Sequence, residues 1–187
     1  MALSPYTFKG QHAAVTGLPD IWVDAVHRIV TDQTRITGDY IAANAGSGLS
    51  KAEYAELVGV VVAVISVDEF NRAIGVAAET LPEPVTGEPT RYTPECLVED
   101  TGYLPMIARD RTGEREQDLW RPGRTANVLR ALSSVPNAVR DWLALAEAQY
   151  LSIARMAHFG EFDDRSINRM QMELVAGRVS AWNQCFY

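Results

Sequence analysis

Two side chains near one end of the 187-residue chain are the ones with chemistry to offer, Glu173 and Cys185, with eleven residues between them. An ionised thiol is a nucleophile, and a carboxylate whose pKa is drawn toward neutrality can carry a proton in a reaction. A lone cysteine between Gln184 and Phe186 is more often a small buried hydrophobe than a reactive group. Glu173 sits among Met170, Met172, Leu174 and Val175, where burial raises its pKa and an arginine partner, Arg169 or Arg178, lowers it. Both directions are open from the residues alone. An unbroken helix rises about 1.5 Å per residue, so it would hold the two backbones roughly 18 Å apart. Cooperation between them therefore requires a turn, and Gly177 and the segment Ser180 to Asn183 are where one is least costly.

The element that must position these groups is a terminal helix. Asp163 or Asp164 is a candidate cap, and Ile167, Met170, Leu174, Val175, Val179 and Trp182 recur at spacings that predict a buried face. Upstream, residues 1 to 19 read as an irregular lead-in, and Asp20 as the cap of a helix presenting Trp22, Val26, Ile29 and Val30. A short helix is expected over Thr37 to Ala45 before the glycine-rich turn at 45 to 48. Ser50 and Glu53 then form an S-x-x-E capping box ahead of Tyr54, Leu57, Val58, Val61, Val62, Ile65, Phe70 and Ile74, ending at Gly75. Six valines favour strand by propensity, but the length and both ends favour a central helix, apolar on nearly all sides. Residues 80 to 124 hold six prolines and a charged patch from Arg109 to Asp118, and read as a long connection pinned by Leu97, Tyr103, Leu104, Met106 and Ile107. Helix resumes near Thr125, breaks around Ser133 to Pro136 and restarts with Pro136 in its first turn, running through Val139, Trp142 and Leu145 to Tyr150. With no strand alternation, the predicted fold class is all-α.

Composition narrows the function. The chain is 47% hydrophobic, enough for a core, and its formal charge of -7 contains no basic block, which argues against nucleic acid and anionic membrane as partners. The longest apolar run, Leu57 to Val67, falls short of the roughly 20 residues that cross a bilayer, and no signal-peptide pattern opens the sequence, so a cytoplasmic protein is expected. Cys96 and Cys185 make no disulfide framework. His12, His27 and His158 share no helical turn, so no metal site is signalled. Gly87 and Gly113 lack the flanking strand and helix of a phosphate-binding loop, and no G-x-S-x-G serine elbow is present.

The stretch from Glu173 to Tyr187, ELVAGRVSAWNQCFY, resembles the carboxymuconolactone decarboxylase and AhpD-like alkylhydroperoxidase family, whose signature is a glutamate, eleven residues, then C-x-x-C-x-x-x-H. Residues 49 to 75 resemble the helix that follows the cysteine motif in that family, and residues 127 to 150 the helices that precede it. The resemblance covers roughly two thirds of the chain, with its halves in reversed order: 1–79 as the post-motif half, 80–124 as the join, 125–187 as the pre-motif half and the start of the motif. Such an order fits a duplicated ancestor that lost its outer halves, or two chains that complete each other's fold. The family is all-helical and oligomeric, so the resemblance implies a helical bundle completed by assembly into a homodimer or higher oligomer. It also implies reduction of a small-molecule hydroperoxide with an external thiol reductant and no metal or organic cofactor. Glu173 falls on the relay glutamate and Cys185 on the resolving cysteine. The attacking cysteine and the histidine correspond to positions 188 and 192, beyond the 187 residues, so the expectation is a native polypeptide that extends past Tyr187. The decarboxylase branch, which does not use the cysteine pair, and a non-catalytic helical oligomer are the alternatives.

Overall fold

The computed structural model describes residues 17–121, 123, 125–156, 158 and 165–185. Its described residues are mostly helical. Seven α-helices occur in the order α1 (Asp20–Thr31), α2 (Gly38–Gly46), α3 (Lys51–Ala73), α4 (Asn127–Arg130), α5 (Pro136–Gln149), α6 (Ile153–Met156) and α7 (Arg169–Trp182). Between α3 and α4 two short strands, β1 (Leu97–Val98) and β2 (Met106–Ile107), pair antiparallel with Leu97 opposite Ile107 and Val98 opposite Met106. The chain forms two compact units, one ending at Trp142 and one beginning at Leu143, so α5 contributes to both.

In the first unit, α1 begins after Pro19 with Asp20 already in its first turn, so the expected Asp20 cap is corrected: no side chain caps this helix. Ala25, Ile41, Leu49 and Tyr54 form the core where α1, α2 and the start of α3 meet, with Trp22, Ile29, Leu57, Val58 and Leu104 packed around them. α3 forms despite its valines because both ends are fixed. Ser50 Oγ accepts from Glu53 N at 3.2 Å and Ser50 N donates to Glu53 Oε2 at 2.9 Å, while Gly75, at φ +74°, lets Val76 N reach Asn71 O at 2.9 Å and Gly75 N reach Arg72 O at 3.2 Å. Gly59 has a second use: a Cβ there would stand 2.9 Å from the Cβ of Ala138 on α5. α3, apolar on nearly all sides, is only partly covered within one chain: Tyr54, Ala55 and Asn71 are its buried residues, while Val60 and Phe70 are more than half exposed.

The long connection is anchored as well as irregular. Met106 and Ile107 are buried, whereas Tyr103 is exposed. Ile107 N donates to Ser133 Oγ at 2.8 Å, and Ile107 O accepts from Arg130 Nε at 2.8 Å. Arg130 is fully buried and also donates to Asn127 Oδ1 and to both carboxylate oxygens of Asp100. Proline density thus removed regular structure from this segment without removing its hold on the core. The strand pair modifies the helix-only expectation: two residues a side suffice to tie the connection down without building a sheet.

Candidate functional site

The second unit carries the two residues singled out by their chemistry. The expected caps, Asp163 and Asp164, lie outside the described residues, and the cap of α7 is Asn168. Its side chain accepts from Gln171 N at 3.0 Å while Asn168 N donates to Gln171 Oε1 at 2.9 Å. From this reciprocal start the helix runs without interruption through Gly177 to Trp182. The chain turns only afterwards. Gln184, at φ +55°, is the left-handed residue, with Gln184 N donating to Ala181 O at 3.2 Å and Cys185 N to Ser180 O at 2.9 Å. These two bonds form the Schellman arrangement that satisfies the last helical carbonyls. Cys185 is exposed at this end of the helix.

Glu173 lies one turn beyond Arg169 on α7. Its Oε1 accepts from the Tyr150 hydroxyl at 2.7 Å and from Arg169 Nε at 2.5 Å. Arg165 donates to Tyr150 O and, at 3.5 Å, to Met172 Sδ, and Arg169 Nη1 lies 3.3 Å from Arg155 O. The question left open by the residues is thereby answered. The Tyr150 hydroxyl, followed by Arg169, holds the Glu173 carboxyl below the ordinary range against the opposing effect of burial. Burial and the neighbouring carboxylate raise the Tyr150 hydroxyl. Glu173 is therefore held as an anion at neutral pH, and the shift moves it away from the near-neutral range in which a carboxylate carries a proton well.

Glu173 and Cys185 are not brought together by a turn at Gly177. Eleven residues lie between them, and the unbroken helix from Glu173 to Trp182 alone spans about 14 Å at the helical rise. The apolar face expected on α7 is also not buried within the chain. Met172 is its buried residue, whereas Met170, Leu174 and Trp182 are 76%, 75% and 78% exposed. Regular spacing identified the stripe, but burial also needs an opposing surface, which the described residues of this unit do not supply to that face. Sequence reasoning weighed Arg169 and missed Tyr150, which it read as one more apolar helix position. The available signal was the phenol itself, since a half-buried tyrosine needs a polar partner at its tip.

Among the described residues no cluster of His, Cys, Asp and Glu is arranged to hold a metal ion, and His12 lies outside them. No described helix is long and apolar enough to cross a membrane. No family model, curated protein or solved structure matches the chain.

Proposed function

We propose a thiol-dependent oxidoreductase that reduces organic hydroperoxides with Cys185 as the resolving thiol, provided that the polypeptide extends past Tyr187 and supplies the attacking thiol at position 188. The observation that carries this reading is the exposed side chain of Cys185, on a backbone pinned by the Schellman turn at the end of α7. Its position at the carbonyl end of α7 suits resolution better than first attack, because anionic sulfur is stabilised at the amide end of a helix. In the reaction the attacking thiolate takes the terminal peroxide oxygen and becomes a sulfenic acid, and the alkoxide leaves and is protonated to an alcohol. Cys185 then attacks the sulfenic sulfur, forming a disulfide and releasing water, and an external dithiol returns both sulfurs to the reduced state.

Glu173 is the relay carboxylate of this reading, and its bonds to Tyr150 and Arg169 make it a weak base in that role. Since α7 keeps it distant from Cys185 of its own chain, the relay in this reading runs between copies, in an assembly that is at least a dimer. The exposed apolar side chains on α3 and α7 support such assembly, and they equally favour the second reading, a helical oligomer without catalysis. The test uses a chain carrying cysteine at 188 and histidine at 192. Reduced, it consumes about one equivalent of alkyl hydroperoxide and loses two titratable thiols, and Cys185→Ser blocks the disulfide but not the first oxidation. Mixing Glu173→Gln chains with Cys185→Ser chains restores fast disulfide formation if the relay crosses between copies. Absence of thiol loss in the completed chain overturns the peroxidase reading and leaves the structural one.

A further inference from the structure

Beyond α3 the chain leaves the helical body of the first unit: from Val76 to Thr90 every residue is exposed and none lies in a helix or strand. A connection this long without structure of its own is uncommon in a compact unit and usually has a use. Part of it has little freedom. Pro82 and Pro84 fix their own φ at about −65°, and each restricts the residue before it, Leu81 and Glu83, to extended conformations. The sequence therefore favours a polyproline II course over 81–84, in which residues three apart share a face. Leu81 falls with Pro84, and Pro82 with Val85, giving two apolar faces, while Glu83 occupies the third. The apolar side chains stand in water, Leu81 being 67% and Val85 95% exposed.

The same unit contains an apolar cavity of about 490 Å³ between α1, α3 and the long connection. Ile29, Ile36, Val58, Val62 and Leu104 line it and are only half-buried, so apolar surface remains for an occupant to cover. No lysine, arginine, aspartate or glutamate is among the lining residues, so a charged group entering it would lose its hydration without gaining a partner. Gln33 and Tyr103, also lining residues, are exposed and form the mouth. Arg35 stands in sequence between the lining residues Gln33 and Ile36, with its side chain 57% exposed and its Nε 3.7 Å from Asp32 Oδ2. Residues 76–90 carry Glu79, Glu83 and Glu88 and no lysine or arginine, so the acidic edge of the segment complements the charge of Arg35. The sizes also agree. The side chains of Leu81, Pro82, Pro84 and Val85 bring about thirteen carbon atoms, against roughly sixteen places in the cavity at about 30 Å³ each.

Within one chain the two features do not meet. α3 runs on past Val62 to Ala73, about 16 Å of helix, before the segment leaves it, and the segment is tied down again at Tyr92, where the Arg115 guanidinium lies 4.8 Å over the ring. We propose that residues 81–85 of a second copy occupy this cavity, with Leu81, Pro82, Pro84 and Val85 entering it and Glu83 staying at the mouth beside Arg35. Each chain carries both the segment and the cavity, so the exchange is reciprocal and closes as a two-fold dimer. The contact uses neither Cys185 nor Glu173 and is independent of the thiol chemistry.

The experiment is complementation between full chains. Leu81→Asp combined with Val85→Asp spoils the segment and leaves the cavity intact; both side chains are exposed, so the fold of the single chain is unchanged. Val58→Trp fills the cavity and leaves the segment intact. In sedimentation the wild type is a dimer at micromolar concentration, and each variant alone dissociates roughly a hundredfold more readily, because both reciprocal apolar contacts are lost. An equimolar mixture of the two variants, one carrying a fluorophore, associates at concentrations where neither does alone. Should Val58→Trp lose its helical circular dichroism, a fluorescein-labelled peptide of residues 78–88 takes its place: by anisotropy it binds the Asp-substituted chain saturably, and the same peptide with both aspartates does not. A wild type that stays a single chain at about 100 μM overturns the proposal. So does a dimer that survives in both variants, which is then built through the exposed faces of α3 or α7. Failure of the mixture, or of the peptide in its place, to associate overturns it as well.

Discussion

Replacing Arg130 separates what hydrogen bonds and what packing contribute to the anchor of the long connection. Arg130 is fully buried, and its Nε satisfies the carbonyl of Ile107, a residue that is itself fully buried. Arg130→Met keeps most of the aliphatic stem and removes the donors. The orphaned Ile107 carbonyl should then cost about 1–3 kcal/mol. Arg130→Ala adds the loss of the stem and the void it leaves, bringing the expected total to about 3–5 kcal/mol. The ion pair with Asp100 adds little, because the Asp100 side chain is 46% exposed and remains hydrated when its partner goes. Urea unfolding followed by circular dichroism measures both substitutions. By heat, Arg130→Ala should melt roughly 10 °C lower, at about 2–4 °C per kcal/mol for a chain of this size. An Arg130→Ala protein within about 1 kcal/mol of wild type would refute the anchoring role, since no solvent reaches Ile107 O to replace the lost donor.

Gly59→Ala should destabilise by about 1–2 kcal/mol in thermal melts, because the gain of nearly 1 kcal/mol in helix propensity is outweighed when the new Cβ meets Ala138 at 2.9 Å; a stabilised variant would mean that α3 and α5 separate freely there. Gln184→Gly should stabilise by about 0.5–1 kcal/mol by relieving the left-handed conformation at φ +55°, and a loss would show that the turn after α7 is held by something other than its backbone. Glu173 and Asp118 both have folded pKa values below their unfolded ones, Glu173 chiefly through Tyr150 and Asp118 chiefly through Arg140. The stability they contribute is present above about pH 4 and is lost as pH falls through the lowered folded values. Tyr150→Phe should raise the Glu173 pKa toward its ordinary value, and a carboxyl carbon NMR titration unchanged by that substitution would refute the assigned cause. Cys185 should react with an aromatic disulfide reagent faster than Cys96, which is half-buried beside β1; equal rates measured by mass spectrometry would contradict the exposure of the helix end.

The helical character and several helix ends were legible because local chemistry decides them. Ser50 with Glu53, Pro136 in a first turn and Gly75 after α3 each satisfy groups within a few residues. Asn168 was passed over for Asp163 and Asp164, although Gln171 three residues on is the signal of a capping box. Burial was less legible, since spacing marks which residues share a face but not whether another surface meets it. α7 shows this directly, its apolar stripe largely exposed within the chain, whereas on α3 Leu57, Val58, Val61 and Val62 are half-buried and Val60 and Phe70 exposed. Nor could sequence pattern foresee that Arg130, in a segment read only as the resumption of helix, would be among the most buried side chains.

The same limit governs the candidate site. Which of burial or an ion pair sets the Glu173 proton affinity depends on a phenol twenty-three residues away, and no periodicity announces the meeting of Tyr150 with α7. Once that bond is in place the carboxylate is held as an anion, and α7 keeps it apart from Cys185 of the same chain. A glycine at 177 did not bend the helix, because tolerance of a bend differs from a force that produces one: the backbone ladder there is complete, and breaking it would leave donors and acceptors unsatisfied. The reversal falls instead at Gln184, after the helix has ended and its last carbonyls need partners. Cys185 follows that reversal directly, so the residue most often read as a small buried hydrophobe stands exposed because the helix end, rather than a core, determines its position.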